Sequence, residues 1–208
     1  MEAREAYDLA AANYAQEIPD TAFESELDLA MIRLFVDLIG ERVRVLDAGC
    51  GTGRMTTHLR ALHPPLELTG VDLSPGMLEE ARRAVPDVEF VEGDLAALPF
   101  ADDSFDGVLA WYSIIHTPEV GLPAVFAELR RVLSPGGVLL VGFQAGTGER
   151  RIAHAYGHDL DLLAYLHEVD GVAASLTRAG FAVHTRLDRS PRREFERSHQ
   201  GFVLAVRP

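Results

Sequence analysis

Leu46-Asp47-Ala48-Gly49-Cys50-Gly51-Thr52-Gly53 is the stretch that decides how this chain is read. It closes the apolar run Val43 to Ala48 and opens a helical segment reaching about Leu62. A near-continuous apolar run suits a parallel strand covered on both faces. Glycines let the backbone turn sharply and approach a ligand with no side chain in the way. Gly49, Gly51 and Gly53 make the spacing G-x-G-x-G. A loop for a nicotinamide dinucleotide reads G-x-G-x-x-G/A, with the helix N-terminus facing a pyrophosphate. Arg54 stands where that last small residue is needed. The loop therefore suits a nucleoside ligand without a pyrophosphate.

The rest of the chain repeats the strand–helix rhythm. Leu66 to Val71 is a second strand, ended by Asp72. Ser74 caps the next helix and Pro75 takes its first position, a strong start signal. Further strands are expected at Val88 to Val91, Phe105 to Trp111 and Val138 to Phe143. A helix from about Leu122 to Leu133 stops at Ser134-Pro135-Gly136-Gly137. Gln144 to about His158 is polar and breaks the rhythm. A helix near Val172 to Ala179 then leads to two closing strands, Phe181 to Leu187 and Phe202 to Val206. Upstream lie two helical stretches, about Glu2 to Gln16 and Thr21 to Ile39, separated at Ile18-Pro19-Asp20 because proline disfavours helix before it. Such alternation argues for a parallel sheet with helices on both faces. Ligands bind such sheets beyond the carboxyl ends of the strands, at the topological switch point. Asp72, at one such end, can accept hydrogen bonds from ribose hydroxyls.

Four stretches, in order, resemble the class I S-adenosylmethionine-dependent methyltransferases, in the small-molecule branch that includes ubiquinone and menaquinone methyltransferases. They are Val45 to Arg54, Gly70 to Leu78, Gly93 to Asp106 (Gly93-Asp94-Leu95, Leu98-Pro99-Phe100, Ser104-Phe105-Asp106) and Leu129 to Gly137. The resemblance covers about Val43 to Phe143. It implies a Rossmann-like, doubly wound α/β fold with a seven-stranded, mostly parallel sheet, an antiparallel C-terminal strand and an N-terminal helical lid. Within one domain, residues 1–40 would be the lid, 41–143 the cofactor-binding core, and 144–208 the substrate-side segment and closing strands.

The resemblance also implies roles toward S-adenosylmethionine, and its product S-adenosylhomocysteine. Gly49, Cys50 and Gly51 would line the methionine and ribose portion. Asp47 would sit near the ammonium and Asp72 on the ribose hydroxyls. Leu73 and Met77 would pack near adenine, with Asp94 and the Leu95 N–H on its polar edge. Ala110 and Trp111 would lie near the carboxylate and the methyl group, and Tyr14 would reach in from the lid. The partner is a small-molecule acceptor of the methyl group at O, N or C.

Methyl transfer needs alignment above all, and a base only where the acceptor must lose a proton. His116 is the candidate base, since histidine titrates near neutral pH. Tyr112 is a second catalytic candidate. Trp111-Tyr112-Ser113-Ile114 lacks the Asn/Asp-Pro-Pro-aromatic pattern of enzymes that methylate base or glutamine amides. The net charge of −13 also disfavours nucleic acid. Basic residues near the C-terminus (Arg186, Arg189, Arg192, Arg193, Arg197) are interleaved with Asp188, Glu194 and Glu196 and read as a solvated mixed-charge loop. No membrane insertion is expected, and a cytoplasmic location is, because no apolar run is long enough to span and the N-terminus lacks a signal-peptide layout. One cysteine, Cys50, excludes an internal disulfide. His154 and His158 share an i, i+4 spacing, but Gly157 weakens a helix there and no flanking acid completes a metal pattern, so no metal is expected. Some of His154, Tyr156, His158, Tyr165 and His167 are expected to line the substrate pocket instead, because this stretch departs from the bare strand–helix rhythm, and oligomeric state is not legible. The competing readings are a non-catalytic sensor of the same cofactor and a nicotinamide oxidoreductase.

Overall fold

Helix α1 (Ala3–Glu17) and helix α2 (Glu26–Ile39) precede β1 (Arg44–Ala48) in the computed structural model, which describes residues 1–192 and 196–208. Then come α3 (Arg54–Leu62), β2 (Glu67–Asp72), α4 (Pro75–Ala84), β3 (Glu89–Glu92), β4 (Phe105–Trp111), α5 (Leu122–Val132) and β5 (Leu133–Ala145). A hairpin, β6 (Glu149–Ala155) and β7 (His158–Tyr165), is followed by α6 (Val169–Arg178), β8 (Ala182–Arg189) and β9 (His199–Val206).

Seven of these strands form one sheet in the order β3-β2-β1-β4-β5-β9-β8. Strands β1 to β5 pair in parallel, and β9 runs antiparallel to both its neighbours. The order reverses between β1 and β4, so their carboxyl ends part and leave a crevice there.

Strand alternation sends side chains to opposite faces. Leu46, Val108, Leu139 and Val141 join Phe126, Leu129 and Leu176 of α5 and α6 on one face. Val45, Leu109, Leu140 and Leu204 join Ile32, Phe35 and Leu59 of α2 and α3 on the other. Both faces are thus covered, as the apolar runs require.

Two departures from expectation bear on the site. The second helix starts at Glu26 rather than Thr21, because Ser25 caps it: Ser25 Oγ accepts from the Asp28 N–H at 3.2 Å and Asp28 Oδ2 from the Ser25 N–H at 2.8 Å. The polar segment after β5 is a hairpin standing apart from the main sheet. In β7, Leu160, Leu162 and Ala164 are buried and alternate with Asp159, Asp161, Leu163 and Tyr165, which are more exposed. Leu160 and Leu162 pack on Ala6 of α1. The connection is the two-residue turn Tyr156-Gly157, with φ +52° and +73°. Positive φ at both residues matches the twist of a tight hairpin. No helix among the described residues is long and apolar enough to cross a membrane.

Candidate active site

A cavity of about 850 Å³ occupies the crevice at the strand ends, roofed by α1 and the β6–β7 hairpin. One end is built by the glycine loop. Gly49 has φ +79°, and a Cβ added there would lie 2.2 Å from Ser113 Cβ. The loops after β1 and β4 therefore touch, and only glycine permits it. Gly51 has φ +53°, and a Cβ added there meets nothing within 4 Å. It borders open cavity, leaving room for a ligand against the backbone.

Asp72 ends β2 under this loop. Its Oδ2 accepts from the Gly51 N–H at 2.8 Å and its Oδ1 from the Ser74 N–H at 2.9 Å. Each carboxylate oxygen keeps a further acceptor site. Burial raises the Asp72 carboxyl above its ordinary pKa. Asp47 is 1% exposed, accepts from Thr56 Oγ1 at 2.6 Å, and is raised to about 6 by burial. Two desolvated acids lining one cavity end favour a cation there. Cys50 lines the same end, with its thiol pushed up by burial, so it contributes backbone rather than a thiolate. Ser113 Oγ is buried with no hydrogen-bond partner among the described residues and also lines the cavity.

Leu73, Met77, Asp94 and Leu95 border the cavity beyond Asp72. Asp94 is exposed, and its Oδ1 accepts from the Ala96 N–H at 2.8 Å. Ala110 stands elsewhere: it is fully buried in the core on the α5 face and does not line the cavity. Its neighbour Trp111 points to the opposite face, reaches the cavity, and donates its indole N–H to Glu24 Oε1 at 3.1 Å. Glu24 in turn pairs with Arg54 at 2.7 Å. Tyr112 lines the cavity at φ +56°, with its ring edge-on to Trp111 and Phe202. Burial pushes its phenol far up, so it stays protonated.

The other end is assembled from distant parts of the chain. His116 Nδ1 lies 2.6 Å from the Leu163 carbonyl, and Nε2 lies 2.8 Å from the Tyr7 hydroxyl. A carbonyl only accepts, so Nδ1 carries the proton. In the neutral ring Nε2 then accepts from the Tyr7 O–H. Burial lowers the His116 pKa below its ordinary 6.5 and raises that of Tyr7, so both are uncharged at neutral pH. Tyr14 lies beside Tyr156 at 4.8 Å between ring centres, and Asn13 Nδ2 donates to the Tyr156 carbonyl at 2.9 Å. Helix α1 is fastened from the other side as well: Asp8 Oδ1 accepts from Ser74 Oγ at 2.6 Å and the Gly76 N–H at 2.9 Å.

Glu24, Asp28, Arg54, Arg150 and Glu196 also line the cavity without a site signal in the sequence, whereas Tyr156 belongs to the stretch expected to line a substrate pocket and Tyr7 shares a face of the first helix with Tyr14. The Ser25–Asp28 spacing is a helix-start pattern and the local signal that fixes where α2 begins, next to Glu24. The charged loop is not simply solvated either. Arg189 is buried, donating to both Asp28 oxygens and both Glu196 oxygens at 2.6 Å. Two carboxylates from distant segments suffice to desolvate and hold it. Arg193 and Glu194 lie outside the described residues. His154 and His158 sit on opposite strands of the hairpin, held by Asp159 and Asn13. No cluster of potential metal ligands occurs among the described residues. His167 is buried away from the cavity, 3.4 Å from the Ile114 carbonyl.

Residues 45–137 match the family described as a methyltransferase domain. The chain is 34% identical over 185 residues to the demethylmenaquinone methyltransferase of Beutenbergia cavernae, covering 74% of this chain and 75% of that protein. It is 41% identical over 113 residues to the same-named protein of Renibacterium salmoninarum, covering 52% of this chain and 45% of that one. The match thus spans about half the length of that relative. Among solved structures, an S-adenosylmethionine-dependent methyltransferase of Methanosarcina mazei aligns with a TM-score of 0.74 at 18% identity, over 84% of this chain and 96% of that one. This last likeness speaks for the fold alone.

Proposed function

Since this chain belongs to the class I S-adenosylmethionine-dependent methyltransferases, we propose that it methylates a small molecule in the cavity under α1, with His116 as the group that takes the acceptor's proton. One observation carries the reading: a single cavity runs from the Gly51–Asp72 loop to the Tyr7–His116 pair.

When bound, S-adenosylmethionine supplies a methyl carbon activated by a positive sulfur. The residues at the first end fit it. Asp47 suits the ammonium and Asp72 the ribose hydroxyls. The backbone at Gly49, Cys50 and Gly51 leaves space for the chain between them. Leu73 and Met77 would flank adenine, with Asp94 and Leu95 at its edge. The unpartnered Ser113 hydroxyl is free to donate to the carboxylate. Residues 1–40 and the hairpin within 144–208 act as a cap on the 41–143 core, and a cap excludes water from the reacting atoms.

The acceptor would take the methyl carbon in line from the sulfonium, whose sulfur would keep the bonding pair and become neutral, so this chain has no leaving group to protonate. The acceptor's proton passes to the Tyr7 oxygen while Tyr7 gives its own to His116 Nε2. Tyr7 ends unchanged, and the imidazolium keeps its Nδ1–H on the Leu163 carbonyl until it releases a proton to water. Tyr112, held protonated, forms wall rather than base.

Calorimetric titration with S-adenosylhomocysteine tests the site. Wild type is expected to bind in the micromolar range, and Asp72→Asn to bind about tenfold or more weakly. A folded wild type that ignores this ligand overturns the reading. An acceptor screen with His116→Ala as control then separates enzyme from sensor by turnover.

A further inference from the structure

The cavity carries opposite charge at its two ends. Asp47, Asp72 and Asp94 line the first, while Arg150 of β6 reaches into the second. The other cavity-lining guanidiniums are differently placed. Arg54 is paired with Glu24 and Arg4 with Glu92, each at 2.7 Å, and Arg197 is exposed. Arg150 is half-buried and, among the described residues, has no carboxylate within ion-pair distance. Its Nη2 donates to Gln144 Oε1 at 3.1 Å. A guanidinium has five N–H donors, so most of the fork stays unused while Gln144 fixes its orientation.

The neighbours of Arg150 do not neutralise it. Its charge reaches Tyr7, His116 and Tyr156, and burial keeps each of the three uncharged at neutral pH. Of the other carboxylates that line the cavity, Asp28 and Glu196 are taken by Arg189 and Glu24 by Arg54, and Glu2 is exposed. A positive fork in a cavity lined by aromatic side chains is a recognition element for planar anions, because guanidinium matches carboxylate and phosphate geometry with two parallel hydrogen bonds.

We propose that the methyl acceptor is a small aromatic anion, its carboxylate or phosphate group forked by Arg150 and its ring lying among Tyr7, Tyr14 and Tyr156. This deepens the methyltransferase reading and rests on it. The two ends then serve opposite charges, a cationic cofactor on the acids and an anionic acceptor on the arginine. Within one low-dielectric cavity those ligands attract each other.

The test uses the whole protein saturated with S-adenosylhomocysteine. It is titrated separately with 4-hydroxybenzoate, 4-hydroxyphenyl phosphate and neutral 4-hydroxybenzamide, for wild type, Arg150→Gln and Arg150→Lys. Wild type is expected to bind at least one anion about tenfold more tightly than the amide. Whichever anion binds identifies the carboxylate or the phosphate as the group read. Arg150→Gln should erase that preference, and Arg150→Lys should keep part of it, since lysine retains the charge but not the fork. Affinity for S-adenosylhomocysteine should stay the same in all three proteins. Equal binding of anion and amide, no binding of either anion, or a preference that survives in Arg150→Gln overturns the proposal. Loss of S-adenosylhomocysteine binding by wild type would instead strike the cofactor reading, and the same probes on the free protein would show whether Arg150 still selects anions.

Discussion

The two ends of the cavity are built in different ways. At the glycine-loop end the hydrogen bonds that hold the two buried acids are short in sequence. Thr56 reaches Asp47 across 9 positions, and the Gly51 N–H reaches Asp72 across 21. At the other end the contacts are long. Tyr7 meets His116 across 109 positions, Asn13 meets Tyr156 across 143, and Asp28 meets Arg189 across 161. A local arrangement is restored each time one strand and its turn form. A distributed one exists only when the whole chain is folded and the cap is down. Substitutions at the first end should therefore always register in ligand affinity, whatever they do to stability, and those at the second foremost in stability and closure.

The harshest test of that contrast is Arg189→Met. Removing the guanidinium strands two carboxylates, and the side chains of Asp28 and Glu196 are only 1% and 13% exposed. Breaking a buried pair by deleting one partner costs about 3–5 kcal/mol. Urea melts should show that loss, with S-adenosylhomocysteine affinity nearly unchanged in whatever remains folded. Replacing all three residues by apolar ones should recover part of it, less the helix cap that Asp28 also gives to the Ser25 N–H. A loss under about 1 kcal/mol for Arg189→Met would mean that the triad is solvated and the distributed end is not held this way.

Gly49→Ala comes next, and it acts at the local end. The new methyl would overlap Ser113, costing about 1–3 kcal/mol by overpacking. The left-handed backbone adds about 1–2 kcal/mol. Gly51→Ala meets open space instead and should pay the backbone cost alone. In thermal melts of the free protein Gly49→Ala should fall well below Gly51→Ala, while both weaken S-adenosylhomocysteine binding. Equal melts would contradict the contact between the loops after β1 and β4.

The same contrast explains what the sequence disclosed. The sheet was legible because apolar runs and helix starts such as Ser74-Pro75 are local signals. So was the glycine loop, with Asp72 at the next strand end. Ala110 was misplaced because strand alternation sends it to the α5 core while Trp111 takes the cavity face. The hairpin was passed over although Asp159-Leu160-Asp161-Leu162 alternates polar and apolar, because the positive φ it needs falls on Tyr156, a residue type that does not announce a turn. Arg150 carried no signal, and Tyr7 only its place seven positions before Tyr14 on one face of a helix. Their chemistry comes from neighbours more than a hundred positions away or on the far side of a turn.

Asp47→Asn sharpens the comparison with a smaller effect of opposite sign. Burial lifts the Asp47 carboxyl from 3.8 to about 6. A carboxyl raised on folding is protonated more readily in the native state, so its ionisation costs stability as pH climbs from about 4 through about 6. Above that window the full cost, about 2–3 kcal/mol by linkage, is present. Asparagine escapes it and can still accept from Thr56. The free Asp47→Asn protein should be more stable than wild type at pH 8 by about 1–2 kcal/mol and no more stable at pH 4. It should also bind S-adenosylhomocysteine more weakly. Near pH 6 wild type should release a fraction of a proton on binding, because an ammonium draws Asp47 into its charged form. Calorimetry in buffers of different ionisation heat measures this, and the release should vanish in Asp47→Asn. A proton count that is the same in both proteins would remove Asp47 from the cation's surroundings.

The smallest effect expected on stability belongs to Tyr7→Phe, and it speaks most directly about the distributed end. The hydroxyl donates one hydrogen bond to His116, so its loss should cost about 1 kcal/mol and raise protease cutting in α1 by about fivefold, the same free energy read as an opening equilibrium. Its signature lies in the pH profile. Burial holds the His116 pKa below 6.5, and the Tyr7 O–H, by bonding to bare Nε2, stabilises the neutral ring further. Wild-type kcat/KM should therefore have its acid limb centred below pH 6.5, as the base becomes protonated. His116's contribution to folding should fade over the same acid window, because the unfolded histidine takes up its proton first. Without the Tyr7 donor the neutral ring loses support, and the acid limb should move up toward 6.5 while the plateau drops. A lowered plateau with the limb unmoved would make Tyr7 a packing residue of the cap, and would leave the acceptor's proton to pass to His116 directly.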